Sequence, residues 1–471
     1  MKRLDGTSAM MIYGDIPRSY MHTLKIAILD YSRHPGGYRF EDMRDLIERH
    51  SASIPFTRWK IARVPFEINH PFWIQDLEFD ISYHVRRIAC PAPGDKRAFC
   101  QLVSELYAQT LNKDIPLWTT WMVEGLEDGK VAQVTMLHHA YTDGVGASLV
   151  LQNITSPSGN VAPKDNMGVD PDKNPGRFRI FLQGAAELPL IFIREIPALV
   201  RDSWKLRKLV KQMKRQGLSR PANPAAAPSS PLLNAPYAHG RCFYYESLDL
   251  ERFKAVGKHF GVTINDLLLA VITGALRTFH SANSLPIDAP LVASIPFNMR
   301  NEEQKEEMLG NYVSTSAVTL PIDIEDPLDR LNFVSESAQT MKEYVEATQG
   351  MGLIRAAELL PPLATSFINW LIRRSEGQIA PMGNLAVSNV PGPRHRLYYD
   401  EDIEISDWLS IGQVSLGVGL NLTAWSYVDR LNICLLANPP VISDGEAFSK
   451  HLLAAFDEYQ MIADRDQSAR Q

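Results

Sequence analysis

Two loop-forming segments divide this chain into two halves, and no other sequence feature constrains its architecture more. Prolines, serines and glycines accumulate around residues 155–178, and Ser219–Pro236 carries further prolines and an alanine run. A single hydrophobic core rarely supports a chain of 471 residues, so we expect two domains. The predicted divisions are residues 1–155, a crossover at 156–235, and residues 236–471.

Both halves mix strand-like and helix-like runs, which predicts an α/β fold with mixed sheets. Helices are expected at Tyr38–His50 and Asp266–His280, and a strand at Pro290–Ile295. Ser443–Glu446 has the form of a capping box that opens a last helix. No internal repeat is present that would indicate a solenoid.

A helical stretch at about 178–216 occupies the crossover. Its later half is basic, with only Asp202 opposing Arg201, Lys205, Arg207, Lys208, Lys211, Lys214 and Arg215. A basic amphipathic helix can dock on an anionic lipid surface. Taken alone, the pattern favours a helix packed on the body of the protein with its basic face in water, since amphipathic helices usually face a core; a water-insoluble substrate would favour lipid contact.

The composition excludes some classes of function. A formal net charge of -6 argues against a nucleic-acid partner, whose binding face should be basic. The four cysteines form no CxxC pair, which is typical of a reducing cytosol. We see no signal peptide, and no run approaches the roughly 20 apolar residues of a spanning helix. We therefore expect a cytoplasmic protein that can still lie on a membrane.

The most specific motif is Leu-His-His-Ala-Tyr-Thr-Asp-Gly at 137–144. Residues 130–139 have the pattern of a strand entering a turn, and side chains alternate between the two faces of a strand. His138 therefore extends the apolar face that contains Met136, whereas His139 extends the more polar face. We assign His139 to a cavity and His138 to a buried supporting role.

His139 is expected to carry the chemistry, because histidine can take a proton from a hydroxyl near neutral pH. Asp143 is constrained by the turn, so we interpret it as structural, with Arg300 or Arg86 as its candidate partner. Gly144 permits tight turning before a helix expected to begin at Val145. The alternative is a pair of satisfied core histidines before an Asp-Gly turn.

Other chemistries find less support. A zinc site would need further spaced ligands, and adjacent histidines on a strand point apart, so no metal is predicted. The sequence contains neither a G-x-S-x-G elbow nor a phosphate-binding G-x-x-x-x-G-K-[ST] loop.

Further short motifs follow one another along nearly the whole chain. They include Pro116-Leu117-Trp118, Thr263-Ile264-Asn265-Asp266, Gly310-Asn311, Ser388-Asn389-Val390-Pro391-Gly392-Pro393 and Asn421-Leu422-Thr423. Together with H-H-x-x-x-D-G, they resemble the bacterial wax ester synthase/acyl-CoA:diacylglycerol acyltransferase family.

This resemblance implies two chloramphenicol-acetyltransferase-like subdomains with an active-site tunnel between them. One opening would admit acyl-CoA, a co-substrate rather than a bound cofactor, and the other a lipid alcohol. It implies His139 as the catalytic base and Asn265-Asp266 as a second important motif. The expected location is the inner membrane face or a lipid droplet, and a homodimer is left open.

Several of these residues have local alternatives. Asn265 or Thr263 can cap the following helix, and Asp266 suits its positive N-terminus. Pro116 and Trp118 are explained as well by packing as by substrate binding. The candidates for polar contacts with substrate are Asn311, Asn389 and Thr423.

Two segments depart from the family pattern. Ser426-Tyr427-Val428-Asp429 has an aspartate where the family tends to have glycine, and Pro296-Phe297-Asn298-Met299 is bulkier than the usual small polar run. Both departures concern the choice of acceptor, not acyl transfer itself.

Three functions follow from these features. The first is a long-chain acyl-CoA O-acyltransferase that makes triacylglycerol or wax ester by direct transfer. The second is a condensation-type enzyme that takes acyl groups from a carrier protein, and the third is a non-catalytic lipid-binding or droplet protein.

Overall fold

The structure, a computed structural model, describes residues 1–161, 175–215, 221–234, 238–348, 353–374, 383–414 and 417–470. The loop predicted around 155–178 and the linker at 219–236 lie partly outside these residues. The strands are β1 (Lys2–Arg3), β2 (His22–Asp30), β3 (Trp59–Ala62), β4 (Phe72–Gln75), β5 (Val85–Ala89), β6 (Trp118–Glu124), β7 (Val131–His138), β8 (Cys242–Asp249), β9 (Leu291–Asn298), β10 (Val313–Leu320), β11 (Leu385–Val390), β12 (Leu397–Asp400), β13 (Ile403–Ile411), β14 (Leu420–Tyr427) and β15 (Arg430–Ala437).

The α-helices lie between and after these strands. They are α1 (Gly6–Gly14), α2 (Phe40–Ala52), α3 (Ile81–His84), α4 (Lys96–Tyr107), α5 (Gly144–Ile154), α6 (Arg177–Arg215), α7 (Leu250–Phe260), α8 (Ile264–Ala282), α9 (Pro327–Thr348), α10 (Leu353–Leu359), α11 (Pro362–Arg374) and α12 (Gly445–Arg470).

Two six-stranded mixed sheets organise the molecule. The first has the order β12-β13-β2-β7-β6-β5 and the second β10-β9-β11-β14-β15-β8, while β1, β4 and β3 form a small third sheet. Within the large sheets β5 runs parallel to β6, and β11 runs parallel to β9 and β14; the other pairs are antiparallel. The predicted α/β class with mixed sheets is confirmed.

The first sheet takes strands from both ends of the chain. Its strands β2, β7, β6 and β5 come from the first 138 residues, but β12 and β13 come from Leu397–Ile411. Strand β13 pairs with β2 from Glu404 opposite Asp30 to Ile411 opposite Leu24. The two halves of the chain therefore interlock through a strand exchanged between them.

The second sheet is covered by a helix that is apolar on all sides. Thr263 caps α8, and the Asp266 carboxylate accepts back from the Thr263 backbone, which is a capping box. Every residue from Leu267 to Leu276 is buried. A helix without a polar face must be surrounded, and α9 and α12 pack against it over the sheet.

No single helix in the described part of the chain is long and apolar enough to cross a bilayer. The pair α7 and α8 passes that test of length and composition only together, across a bend of 95°.

Candidate active site

Strand β7 separates a packed core from a cavity. One face packs in a core with residues of α4 and contributes Ala132, Val134 and Met136. The other face lines the cavity with Gln133, Thr135 and Leu137. The alternation expected from the sequence is therefore present on this strand.

His138 ends β7 on the packed side and is 1% exposed. Its Nδ1 accepts a hydrogen bond from the Ala140 backbone N at 3.0 Å, so the ring hydrogen sits on Nε2, 3.7 Å from Asp15 Oδ2. Burial lowers the pKa of His138 despite this carboxylate. The ring thus fixes the turn that follows β7.

His139 continues the strand's course, because its backbone N donates to Met21 O at 2.8 Å. The side chain is partly buried, and its Nδ1 lies 3.3 Å from the Thr142 carbonyl oxygen. A carbonyl can only accept, so Nδ1 carries the hydrogen and Nε2 has a free lone pair. Burial, followed by the charges of Lys25 and His138, lowers the pKa of His139 to about 4. The ring is therefore neutral at pH 7.

Asp143 is held on all sides. Its Oδ1 caps α5 by accepting from Gly146 N at 2.8 Å, and its Oδ2 accepts from Tyr312 N at 3.0 Å. Arg300 Nη2, whose side chain is fully buried, reaches both oxygens at 3.0 and 3.1 Å. Of the two candidate partners it is Arg300, not Arg86, that pairs with Asp143. Helix α5 begins at Gly144, one residue earlier than expected.

The same arginine ties this loop to the second half of the chain. Arg300 Nη1 donates to the backbone oxygens of Gln304 (2.8 Å) and Glu307 (2.5 Å). Gly146 leaves no room for a side chain, because a Cβ there would lie 2.0 Å from Thr142 Oγ1. The loop after β7 is thus fixed by close packing as well as by charge.

Asn311 joins the site through the backbone of His139. Its Nδ2 donates to His139 O at 3.1 Å, and the side chain is 3% exposed. The backbone oxygen of Asn311 accepts a hydrogen bond from Thr7 Oγ1 at 2.6 Å. The structure therefore places this predicted residue directly behind the histidine.

A largely apolar cavity lies along the face of β7 that carries Gln133, Thr135 and Leu137; His139, which we expected in the cavity, is not among its lining residues. Together with the solvent space at its mouth, it measures about 820 Å³. Trp118 lines it too, with its indole Nε1 donating to Thr57 O at 2.8 Å. Buried Pro116 lies just before it.

The remaining predicted residues lie on other elements. Asp266 and Thr263 cap α8, as the local interpretation expects, and Asn265 is partly buried in the first turn. Thr423 on β14 is buried and donates to Asn421 Oδ1 at 2.7 Å. Asn389 is partly buried on β11, beside Val390, whose side chain is 3.5 Å from where a Cβ of Gly144 would lie.

The sequence interpretation missed Lys25. It lies on β2 opposite Thr135 and lines the cavity. Burial lowers the pKa of Lys25 to about 8. A signal existed, since a lysine interrupts the apolar run His22–Asp30. Only the pairing of β2 with β7 shows that it shares a face with Thr135.

Within the described residues, no group of three His, Cys, Asp or Glu side chains is arranged to hold a metal ion.

Comparison with protein families gives two matches that together cover most of the chain. The wax ester synthase/diacylglycerol acyltransferase catalytic domain matches residues 4–268, and the WS/DGAT C-terminal domain matches residues 309–460. A Mycobacterium tuberculosis H37Rv protein, provisionally named a diacylglycerol O-acyltransferase, is 37% identical over 443 residues, 93% of this chain and 92% of that protein. The O-acyltransferase WSD of Acinetobacter baylyi is 29% identical over 412 residues, 84% of each chain.

Solved structures agree on the fold. The wax ester synthase/diacylglycerol acyltransferase of Marinobacter aquaeolei VT8 superposes with a TM-score of 0.69 at 21% identity, over 98% of this chain and 100% of that one. The first condensation domain of the CDA synthetase gives a TM-score of 0.58 at 13% identity, over 98% and 96%. These similarities confirm the predicted chloramphenicol-acetyltransferase-like fold. At identities of 21% and 13% they are evidence for the fold only.

Proposed function

The chain belongs to the wax ester synthase/diacylglycerol acyltransferase family and is an acyltransferase, and we propose that it moves a long-chain acyl group from coenzyme A to the hydroxyl of a diacylglycerol or fatty alcohol. The observation that carries the proposal is His139, a neutral imidazole whose Nδ1 is engaged and whose Nε2 lone pair is free, two residues after Leu137 in the wall of an apolar cavity.

The proposed mechanism is direct transfer. His139 Nε2 takes the hydroxyl proton as the alcohol oxygen attacks the thioester carbonyl carbon. The tetrahedral intermediate then collapses, the C–S bond breaks, and the protonated imidazole returns the proton to the departing thiolate. No acyl-enzyme forms. The bond from Nδ1 to Thr142 O and the bond from Asn311 to His139 O hold the ring for both proton transfers.

Asp143 has a positioning role in this mechanism. Within the described residues, its hydrogen bonds run to the backbone of α5, to Tyr312 N and to the Arg300 guanidinium, and none runs to either histidine. It fixes the loop after His139 and takes no part in moving the proton.

Docking on a lipid surface is part of the proposal, and α6 supports it. The helix turns charged residues inward: Glu195 and Asp202 are buried and bond to Arg355 at 2.7 and 2.8 Å. Its outward stripe is apolar and is formed by Phe178, Leu182, Leu190, Ile193, Ile196, Val200 and Trp204, which are 46% to 73% exposed. Apolar side chains on a water-facing stripe beside exposed Arg207, Lys208 and Lys211 match an interfacial helix.

Helix α11 adds a second exposed apolar face. Phe367 and Trp370 stack on each other at 5.8 Å and stay 59% and 42% exposed, beside Leu363 and Ile368. A lipid surface would cover these side chains and bring a water-insoluble alcohol to the enzyme.

The test of the acyltransfer is thiol release by the purified protein from palmitoyl-CoA, with hexadecanol or dioleoylglycerol supplied in separate assays. We expect release that depends on the alcohol, with ester formed in equal amount. Palmitoyl loaded on an acyl-carrier protein serves as the competing donor. Transfer from the carrier but not from coenzyme A, or no ester from any alcohol, would overturn the proposal.

The test of docking is sedimentation with anionic liposomes. Reversing the charges of Arg207, Lys208 and Lys211 to Glu, or replacing Trp204 by Glu, should weaken binding. The matched control reverses Lys254, Lys342 and Lys450, exposed cations on α7, α9 and α12, for the same change in net charge. Equal binding by all variants would remove α6 from the proposal.

A further inference from the structure

The cavity wall carries a cation that the proposed acyl transfer does not use. Lys25 Nζ donates to Ser410 Oγ at 2.5 Å and lies 5.2 Å from the centre of the Trp425 ring. In the described part of the chain it forms no ion pair with a carboxylate. An ammonium has three donors, so one hydroxyl partner leaves hydrogen-bonding capacity that faces the cavity.

The neighbouring side chain on this wall has an unpaired acceptor. Gln133 is 7% exposed; its Nε2 donates to Thr135 Oγ1 at 3.3 Å, and that hydroxyl lies 2.9 Å from Thr120 Oγ1. The Gln133 side chain also interacts with the Tyr399 hydroxyl in the same cavity wall, but among the described residues its Oε1 is buried without a donor. Buried polar atoms of folded proteins almost always have one, so a ligand is a natural source.

Strand pairing places the two groups side by side. Lys25 lies opposite Thr135, and Ala27 lies opposite Gln133, so Lys25 and Gln133 are diagonal neighbours on one sheet face. Diagonal neighbours are within reach of long side chains, and both line the same cavity. One ligand atom can therefore contact both.

We propose that Lys25 and Gln133 bind a hydroxyl group carried part-way along the hydrocarbon chain of a substrate, which makes hydroxylated long-chain lipids the preferred substrate class. A hydroxyl oxygen accepts from the ammonium, and its hydrogen is donated to Gln133 Oε1. A plain chain can do neither, and a carboxylate has no hydrogen for Gln133. This inference rests on the proposed function and specifies its substrate.

The position on the strand sets where the hydroxyl lies. Thr135, opposite Lys25, precedes His139 by four residues, which is roughly 13 Å along a strand. The recognised group is therefore far from the reacting carbonyl and lies in the middle of a long chain.

The experiment compares each hydroxylated substrate with its plain analogue. One arm uses 12-hydroxystearoyl-CoA against stearoyl-CoA with hexadecanol; the other uses 1,12-octadecanediol against 1-octadecanol with palmitoyl-CoA. We expect kcat/KM to favour the hydroxylated member at least about tenfold in one arm, which tells whether donor or acceptor occupies this cavity. Lys25→Met and Gln133→Leu should each bring that ratio close to one.

The matched control is Lys254→Met on the outer face of α7, which should keep the wild-type ratio. Because a ratio is insensitive to the folded fraction, partial unfolding of a variant cannot imitate the result. Titration of methyl 12-hydroxystearate and methyl stearate, which carry no charge, gives the same comparison from Kd without turnover. An inactive enzyme would therefore overturn the proposed function and still allow this site to be tested. Equal Kd and kcat/KM for plain and hydroxylated ligands, or ratios unchanged in both cavity variants, would overturn the inference.

Discussion

His139 and Asp143 lie four residues apart in one loop, yet their surroundings differ in kind. Asp143 is 2% exposed, and both carboxylate oxygens are bonded, to two backbone amides and the Arg300 guanidinium. His139 is partly exposed, and with the described residues its ring forms one hydrogen bond, at the long distance of 3.3 Å.

The difference shows how the loop divides its tasks. A carboxylate with every lone pair engaged is costly to protonate or move, so it can define a backbone but is poorly suited to shuttle a proton. An imidazole with one bonded and one free nitrogen is oriented and still available. The contacts of Asp143 thus maintain the shape of the turn, and His139 stays available for proton transfer.

Removing the cation that pairs with Asp143 should have the largest effect on stability. Arg300→Met leaves the Asp143 carboxylate buried without its cation, which typically costs about 3–5 kcal/mol in the free energy of unfolding. Urea denaturation measures it. Arg39→Met, which removes an exposed ion pair with Asp42 at 3.7 Å, is the control and should change the value by about 0.5 kcal/mol or less. Equal losses in both variants would contradict the assigned role of Asp143.

Two glycines at the N-terminus of α5 differ in the space around them, which tests how tightly the loop is packed. A Cβ at Gly146 would lie 2.0 Å from Thr142 Oγ1 and 2.7 Å from Met308 O, whereas one at Gly144 would meet only Val390 at 3.5 Å. Gly146→Ala should therefore destabilise by about 1–3 kcal/mol. Gly144→Ala should be tolerated within about 0.5 kcal/mol, as thermal unfolding can check. Equal tolerance at both positions would mean that the loop is not tightly packed.

The free Nε2 lone pair of His139 should be visible in the pH dependence of kcat/KM. Protonation removes the Nε2 lone pair, so activity is present above the pKa of His139 and is lost as the pH falls through it, near 4. Lys25→Met removes a positive neighbour and should move this acid limb to higher pH, whereas Lys254→Met should not. An acid limb at the ordinary histidine pKa in wild type, unmoved by Lys25→Met, would contradict the described environment of His139.

Local patterns predicted much of this loop. Strand alternation separated His138 from His139, and the tight turn indicated a structural Asp143 with Arg300 among its partners. The last helix was predicted with Ser443 as its capping residue; its cap is Asp444, whose Oδ1 accepts from Ala447 N at 3.0 Å, because the helix begins one residue later.

Long-range pairing could not be predicted in the same way. The contribution of β12 and β13 to the first sheet depends on residues nearly 400 positions apart meeting across the fold. Ser410, which bonds Lys25, arrives on β13. The polar wall of the cavity therefore could not be predicted without the strand pairing. The contact between Asn311 and His139 O likewise joins distant segments.

The central claim is that His139 moves the proton and Asp143 holds the loop. The most direct test is His139→Ala, measured for thiol release from palmitoyl-CoA and for unfolding in urea on the same preparation. We expect His139→Ala to lose at least about a hundredfold in activity. We also expect a change in the free energy of unfolding below about 1 kcal/mol, since the ring has a single long hydrogen bond. Activity within a few-fold of wild type would contradict His139 as the base, and a large loss of stability would place it with Asp143 as part of the scaffold.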